Sequence, residues 1–512
     1  MNNKSFPYHF KVLPLTFFLG MCLLCGSAKG QEDKNQFEQM RSELWSGSLP
    51  LVNLTMDISA VNKNEFVNGE IEIVDLQKRT DSLSESVKYP CQIRYRGGTS
   101  VGYEKKSFSI KLVDDVGEKL NANVLGIREE NSWILDAMAI DRTRMRNRIC
   151  FDVWNDMSGT PYETDYGNRN GTVGVFVEVF INGNYHGLYC MSDKIDRKLL
   201  GLKKMKKNTN DTTISGLLYK GITVHTNLKS YKDEDVNSSV WNGWELQYPS
   251  DSPSFDTWKP LMDLMDLNSM APSDSVFRNH YQDYFYWDNL VDYIVLIMAL
   301  NVDDCLYKNT FLSVVNINKA HKFLISPWDM DMSLSGSWDG SYNNKLFSFE
   351  LFNKIPPFNG LVLQNMDGFM DCVKQKLMNL YSSLLHPKNI EKRLDEYSKA
   401  FLTSGAWERE YDKWNGNPVP LKPSITEELD YVKDGYRRNC EFLRGTFQLE
   451  QMGVLNVPGT TSTGWDSLDE NGWKKYADGV YLTDGRKIRD SSDIEGLPRG
   501  VYIVGGRIVM VR

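Results

Sequence analysis

Two apolar runs, residues 173–180 and 185–191, flank the dipeptide Asn182-Gly183. A two-residue hairpin turn needs positive φ at both central positions, and Asn-Gly supplies this at low steric cost. An antiparallel hairpin is therefore expected here. The residues before it have the same character. Residues 69–74, 91–96 and 107–112 each alternate apolar with polar side chains, the period of a half-buried strand. From Leu51 to about Leu112 the chain reads as strands separated by turns.

The second half changes period. Residues 284–300 and 364–385 repeat as helices, and Ser424-Ile-Thr-Glu427 is a capping box opening a helix to about Phe447. Residues 310–315 and 322–326 form a hairpin pattern between the first two. One helix, residues 142–157, sits in the first half, with Met145, Ile149 and Val153 on one face and Gly159 and Pro161 beyond its end. Strands followed by helices predict a two-lobed α+β architecture. Residues 201–213 and 228–259 are polar, or rich in Ser, Asp and Trp, and are expected as loops or excursions. Residues 457–464 read as a linker, and short strands follow to Arg512.

The chain has 512 residues, 41% apolar and 25% charged, which excludes a disordered or collagen-like polymer. A net charge of −8 argues against nonspecific nucleic-acid binding, which needs a dense positive face. Lys4 and Lys11, an apolar run over residues 13–24, and Ser27-Ala28-Lys29-Gly30 have the order of a secretory signal. The run is shorter than the ~20 residues of a membrane span. The expectation is an exported chain (periplasmic, cell-surface or extracellular) with no transmembrane span in its mature form. Cys91, Cys150, Cys190, Cys305, Cys372 and Cys440 remain after residue 30, either paired or as buried thiols; none has metal-site spacing.

Acidic residues cluster in two turns, Asn301-Val-Asp303-Asp304 with Asn309, and Pro327-Trp328-Asp329-Met330-Asp331. A hairpin between them can bring their carboxylates to one edge, where a hard divalent cation would find oxygen ligands. In protein kinases a catalytic-loop Asp and an Asn metal ligand are followed by a second metal-binding Asp. Asp304 and Asn309 have that loop's spacing; Asp303 misses it by one. Solvated or capping turns would look similar. A basic cluster contains Arg94, Arg96-Gly97-Gly98-Thr99-Ser100, Lys105, Lys106 and Lys111, and can present charge and backbone N–H groups to phosphate, or be an ordinary basic hairpin. Residues 142–148 hold four arginines that either anchor phosphate or pair with acids.

Five of these segments together resemble the CotH kinase family (spore coat protein H and relatives). Arg96-Gly-Gly-Thr-Ser100 with Lys105-Lys-Ser-Phe-Ser-Ile-Lys-Leu112 is similar to its RGxxS…KKSxxIKL segment. Asp141-Arg-Thr-Arg-Met-Arg-Asn147, Asn182-Gly-Asn-Tyr-His-Gly-Leu-Tyr189, Asn301-Val-Asp303 and Pro327-Trp-Asp-Met-Asp331 are similar to its other motifs.

The resemblance implies an atypical protein-kinase-like fold, with a strand-rich N-lobe at about 50–227, an insertion at about 228–279 and a helical C-lobe at about 280–450. A polar lead-in at 31–49 precedes it. A linker at 451–466 and a small β-domain at 467–512 follow; the latter resembles C-terminal domains of exported Bacteroidetes proteins, some of which are sorting signals. Mg²⁺ (or Mn²⁺) and ATP are the implied cofactors, and Ser or Thr of a secreted or surface protein the implied acceptor. By the same resemblance Asp329, Asp331 and Asn309 would bind metal. Asp303 or Asp304 would be the catalytic acid, and Arg96 with Lys106 or Lys111 would meet phosphate. Asp193 stands where many relatives carry the Glu that would orient that lysine. A silent kinase-like adhesin, with Trp241, Trp244 and Trp258 as contact surface, and an AMP transferase are the alternatives.

Overall fold

The computed structural model describes residues 35–75, 86–208 and 211–448, apart from 233, 272–273, 303, 307, 354 and 356, together with four strands between residues 480 and 511. The expected signal (1–30) and linker (451–466) lie outside the described residues. The fold is mixed α+β.

The expected polar lead-in contains a short helix, α1 (Gln36–Ser42), capped by Asn35. It is held because Phe37 is buried against Phe180, with ring centroids 5.4 Å apart. The strands β1 (Leu51–Thr55), β2 (Val67–Val74), β3 (Ser86–Arg96) and β4 (Ser107–Leu112) follow. A minor pair, β5 (Ala122–Asn123) and β6 (Glu129–Glu130), precedes β7 (Ser132–Asp136). Helix α2 (Arg146–Met157), β8 (Asp165–Asn168) and the hairpin β9 (Gly174–Ile181) and β10 (Asn184–Ser192) complete this half. Asn182 and Gly183 have φ of 51° and 80°, as the turn chemistry requires.

These strands form a closed barrel in the order β1-β2-β3-β4-β7-β10-β9. Alternation accounts for the antiparallel neighbours and for the interior, where Ile71, Ile93, Ile110, Leu135 and Val177 pack together. The seam is different. β1 pairs in parallel with β9, Leu51 opposite Glu178, so the first-half sheet has no free edge at that point. Asn182 fastens the seam: its Oδ1 accepts the Met56 N–H and its Nδ2 donates to the Met56 carbonyl, both at 3.0 Å.

The remainder adds a small hairpin, β11 (Lys206–Asn208) and β12 (Asp211–Thr213), then β13 (Leu217–Gly221), β14 (Val240–Trp241) and β15 (Trp244–Tyr248). Helices α3 (Phe255–Ser269), α4 (Ser275–Tyr284) and α5 (Trp287–Leu300) lead into β16 (Thr310–Asn316) and β17 (Ala320–Pro327). The chain then runs through α6 (Phe358–Leu361), α7 (Phe369–Tyr381), α8 (Pro387–Thr403), α9 (Ala406–Trp414) and α10 (Ile425–Phe447). A five-stranded sheet, β14-β15-β13-β16-β17, faces α5, which is buried along almost its whole length. The last eight residues of that helix, Tyr293–Leu300, are an unbroken apolar run, as a core helix requires.

Residues 228–259, expected as a loop or excursion, thus contain regular structure. They supply β14, β15 and the start of α3, and Trp241, Trp244 and Trp258 are fully buried, the first and last with rings 5.5 Å apart. They cannot be an exposed contact surface. All six cysteines named above are free thiols, and every one except Cys372 is buried. The tail strands β18 (Val480–Leu482), β19 (Lys487–Arg489), β20 (Gly500–Val504) and β21 (Arg507–Val511) make one antiparallel sheet. Among the described residues, no helix is long and apolar enough to cross a membrane.

Candidate functional site

The acid-bearing turns meet at the end of the five-stranded sheet. Asn301 ends α5 with φ 52°, Asn309 enters β16 with φ 61°, and Asp329 follows β17 with φ 58°. Left-handed backbone is uncommon for residues with side chains, and its local cost concentrates at functional sites. The two turns are tied directly. Cys305 Sγ donates to the Trp328 carbonyl at 3.0 Å, and the Asn309 N–H donates to the Gly221 carbonyl at 3.0 Å. Asn309 Nδ2 donates to Asp304 Oδ2 at 2.8 Å, and Lys308 Nζ lies 3.5 Å from the same oxygen. Asp303 lies outside the described residues.

The barrel approaches this edge through Asp136, the last residue of β7. Its carboxylate accepts from Asn147 Nδ2 at 3.1 Å, while Asn147 Oδ1 accepts the Met330 N–H at 3.1 Å. One asparagine of α2 therefore bridges the barrel to the acidic turn. A cleft between them is lined by Arg96, Asp136, Asn147, Arg148, Ser192 and Trp328. Loss of water raises the Asp329 carboxyl above the usual range, and the Asp136 charge adds to this. Asp331 is pushed up much further, first by burial and then by Asp329, Asp136, Asp141 and Asp304. Carboxylates crowded in this way concentrate negative charge that Lys220, Arg96 and Lys308 offset only in part, the situation a metal cation relieves further.

Among the described residues, no three His, Cys, Asp or Glu side chains stand close enough to hold a metal alone. Magnesium needs less, because it commonly takes one or two carboxylates and completes its shell with phosphate oxygens and water. The all-oxygen pair Asp329 and Asp331 fits that partial role.

The basic candidates divide. Arg96 lies over the Trp328 ring, 5.6 Å from its centroid, beside the acids. Lys106 is occupied, donating to the Val101 and Tyr103 carbonyls at 2.9 and 2.6 Å and so closing the glycine-containing loop. Lys111 lies 4.1 Å over Phe66, with its pKa lowered by burial and then by Arg94. Asp193 meets neither lysine. It pairs with Arg128 at 2.8 Å and Arg169 at 2.9 Å, and accepts the Val173 N–H at 2.8 Å. The arginines at the start of α2 pair with acids: Arg144 with Glu410, Arg146 with Asp141 and Arg148 with Asp152.

The sequence profile of the family described as CotH kinase protein matches residues 93–443, more than half of the chain. The chain belongs to the CotH kinase family. The match runs from β3 to α10 and so takes in the cleft, both acidic turns and the bridge at Asn147. Among curated proteins, none matches this CotH chain.

Three participants escape sequence reasoning. Asp136 reads as a strand end and Glu410 as one acid of an amphipathic helix. Lys220, whose charge acts on Asp329, had a faint signal: it is the single charge in the apolar strand Leu217-Leu-Tyr-Lys-Gly221.

Proposed function

We propose that this CotH family member is an exported protein kinase that transfers the γ-phosphoryl group of Mg²⁺–ATP to Ser or Thr hydroxyls of a secreted or surface protein. The barrel half and the sheet-and-helix half would act as the two lobes, with the nucleotide between them. The observation that carries this reading is the confluence of Asp329, Asp331, Asp136 and Asp304 beside the cationic Arg96.

Asp329 and Asp331 would hold the metal, and Asn309, locked in place by its bonds to Asp304 and Gly221, would complete the turn around it. Bound Mg²⁺ would neutralise charge on the phosphates during transfer. The chain's own work is positioning. Asp303 or Asp304 would orient the acceptor hydroxyl and receive its proton, while Arg96 draws the phosphates toward the cleft. Catalysis of this kind is placement plus electrostatics, so each element counts.

The test is the intact mass of the mature protein after incubation with ATP and Mg²⁺ or Mn²⁺, beside Asp329→Asn. A gain of phosphate absent from the variant supports the kinase. A nucleotide-sized gain would replace it with AMP transfer. Failure to bind ATP at millimolar concentration would sink both.

A further inference from the structure

Lys220 lies in the middle of the second sheet, on β13, and its ammonium reaches toward the acidic turn. Nζ is 5.4 Å from the centroid of the Trp328 ring and 5.7 Å from that of Phe311. Arg96 of β3 shares the same Trp328 ring at 5.6 Å. The charged groups around Lys220 are Arg96 and Lys308, with Asp329 and Glu245 as the acids. Yet among the described residues the Lys220 side chain makes no hydrogen bond and no ion pair within 4 Å, and neither does that of Arg96. Two cations, one from the barrel and one from the second sheet, thus converge on one indole, with Asp329 and Glu245 as the nearby acids and no direct ion pair among the described residues.

Such an arrangement is costly. A half-buried ammonium beside a guanidinium loses hydration and gains repulsion, and proteins rarely keep such a charge unless an anion compensates it. The other basic candidates lack this feature, since Lys106 is spent on two carbonyls and Lys111 lies against Phe66. Lys105 is spent on Glu410.

We propose that Lys220, together with Arg96 across the Trp328 ring, is the cation pair that binds the phosphate chain of the nucleotide. This rests on the kinase reading and adds to it. The phosphate-pairing lysine belongs to the second sheet and not to the segment holding Lys106 and Lys111, where the family resemblance puts it. Trp328 sets the separation of the two cations, and the same turn delivers Asp329, so phosphate and metal would be gathered by neighbouring residues.

The test compares Lys220→Met and Lys220→Arg with the wild type, measuring binding of Mg²⁺–ATP and of adenosine by calorimetry, with thermal unfolding alongside. Lys220→Met should weaken ATP at least tenfold and leave adenosine unchanged, because only the phosphate contact is lost. Lys220→Arg should recover most of the affinity. The melting temperature of Lys220→Met should stay close to that of the wild type, since the ammonium makes no direct ion pair or side-chain hydrogen bond among the described residues. If wild type binds Mg²⁺–ATP and Lys220→Met binds it equally well, the assignment of Lys220 is overturned while the kinase reading stands. If wild type itself does not bind ATP, the kinase reading fails and this inference with it.

Discussion

Glu410 of α9 accepts from Lys105 Nζ at 2.5 Å, although 305 residues separate them. The same carboxylate accepts from Arg144 Nε at 2.8 Å and from the Leu188 N–H at 2.8 Å, and both ion pairs are fully buried. Three family motifs therefore end on one acid outside all of them. Replacing it leaves two buried cations uncompensated, a change that typically costs about 3–5 kcal/mol. Glu410→Ala, and nearly as severely Glu410→Gln, should lower the denaturant midpoint by a corresponding amount. An unchanged midpoint would refute this account of Glu410.

Gly187 explains the second glycine of the hairpin motif. Its φ is 134°, and a Cβ there would lie 2.7 Å from Trp414 Nε1 and 2.8 Å from Glu410 Oε2. The absent side chain is what lets α9 dock. Gly187→Ala should cost about 1–3 kcal/mol through strain and displacement of that helix. Near-ultraviolet circular dichroism would register any displacement of Trp414, and urea titration the loss of stability.

His186 packs between Tyr189 and Trp414, 5.9 and 5.4 Å from their rings. Burial pulls its pKa from 6.5 down to about 4, and Lys105 and Lys413 add to this. The unfolded chain thus takes up a proton that the native state refuses. Stability from this group is complete above about pH 6.5 and declines as pH falls toward 4. His186→Gln should flatten the slope of urea midpoint against pH in that window. An equal slope in both proteins would show that the histidine is not responsible.

Asp329→Asn removes one charge from a crowded group whose carboxyls are already driven upward. Phosphoryl transfer should fall to background while the melting temperature stays level or rises. A fall in both would mean that Asp329 holds the turn together and would leave no ground for calling it a metal ligand.

Parts of this molecule are legible in the chain because their causes are local. Asn182-Gly183 dictates its turn, and the alternation in β2, β3 and β4 follows from one face being buried. Ser424 marks the start of α10. The acidic turns could be found through their order along the chain, but not their partners. Asp136, Arg96 and Lys220 reach Trp328 and Asp329 from strands far away in sequence, and no spacing rule encodes that encounter. Composition also fails to tell buried from exposed aromatics, which is why Trp241, Trp244 and Trp258 read as a possible surface. The arginines of residues 142–148 mislead in the opposite sense, since their acids lie in α2, in the loop before it, in α9 and in α10.

The parallel seam between β1 and β9 has a consequence for the order of events during synthesis. Met56 cannot acquire its bonds to Asn182 until 126 further residues have been made. Ribosomes add roughly 5–20 residues per second, so for many seconds β1 is a strand with one edge unpaired. An open edge is a template for pairing with other chains. Fragments that stop short of β10 should therefore aggregate instead of folding into a smaller barrel, and whatever attends this chain as it emerges must shield its beginning until its middle arrives.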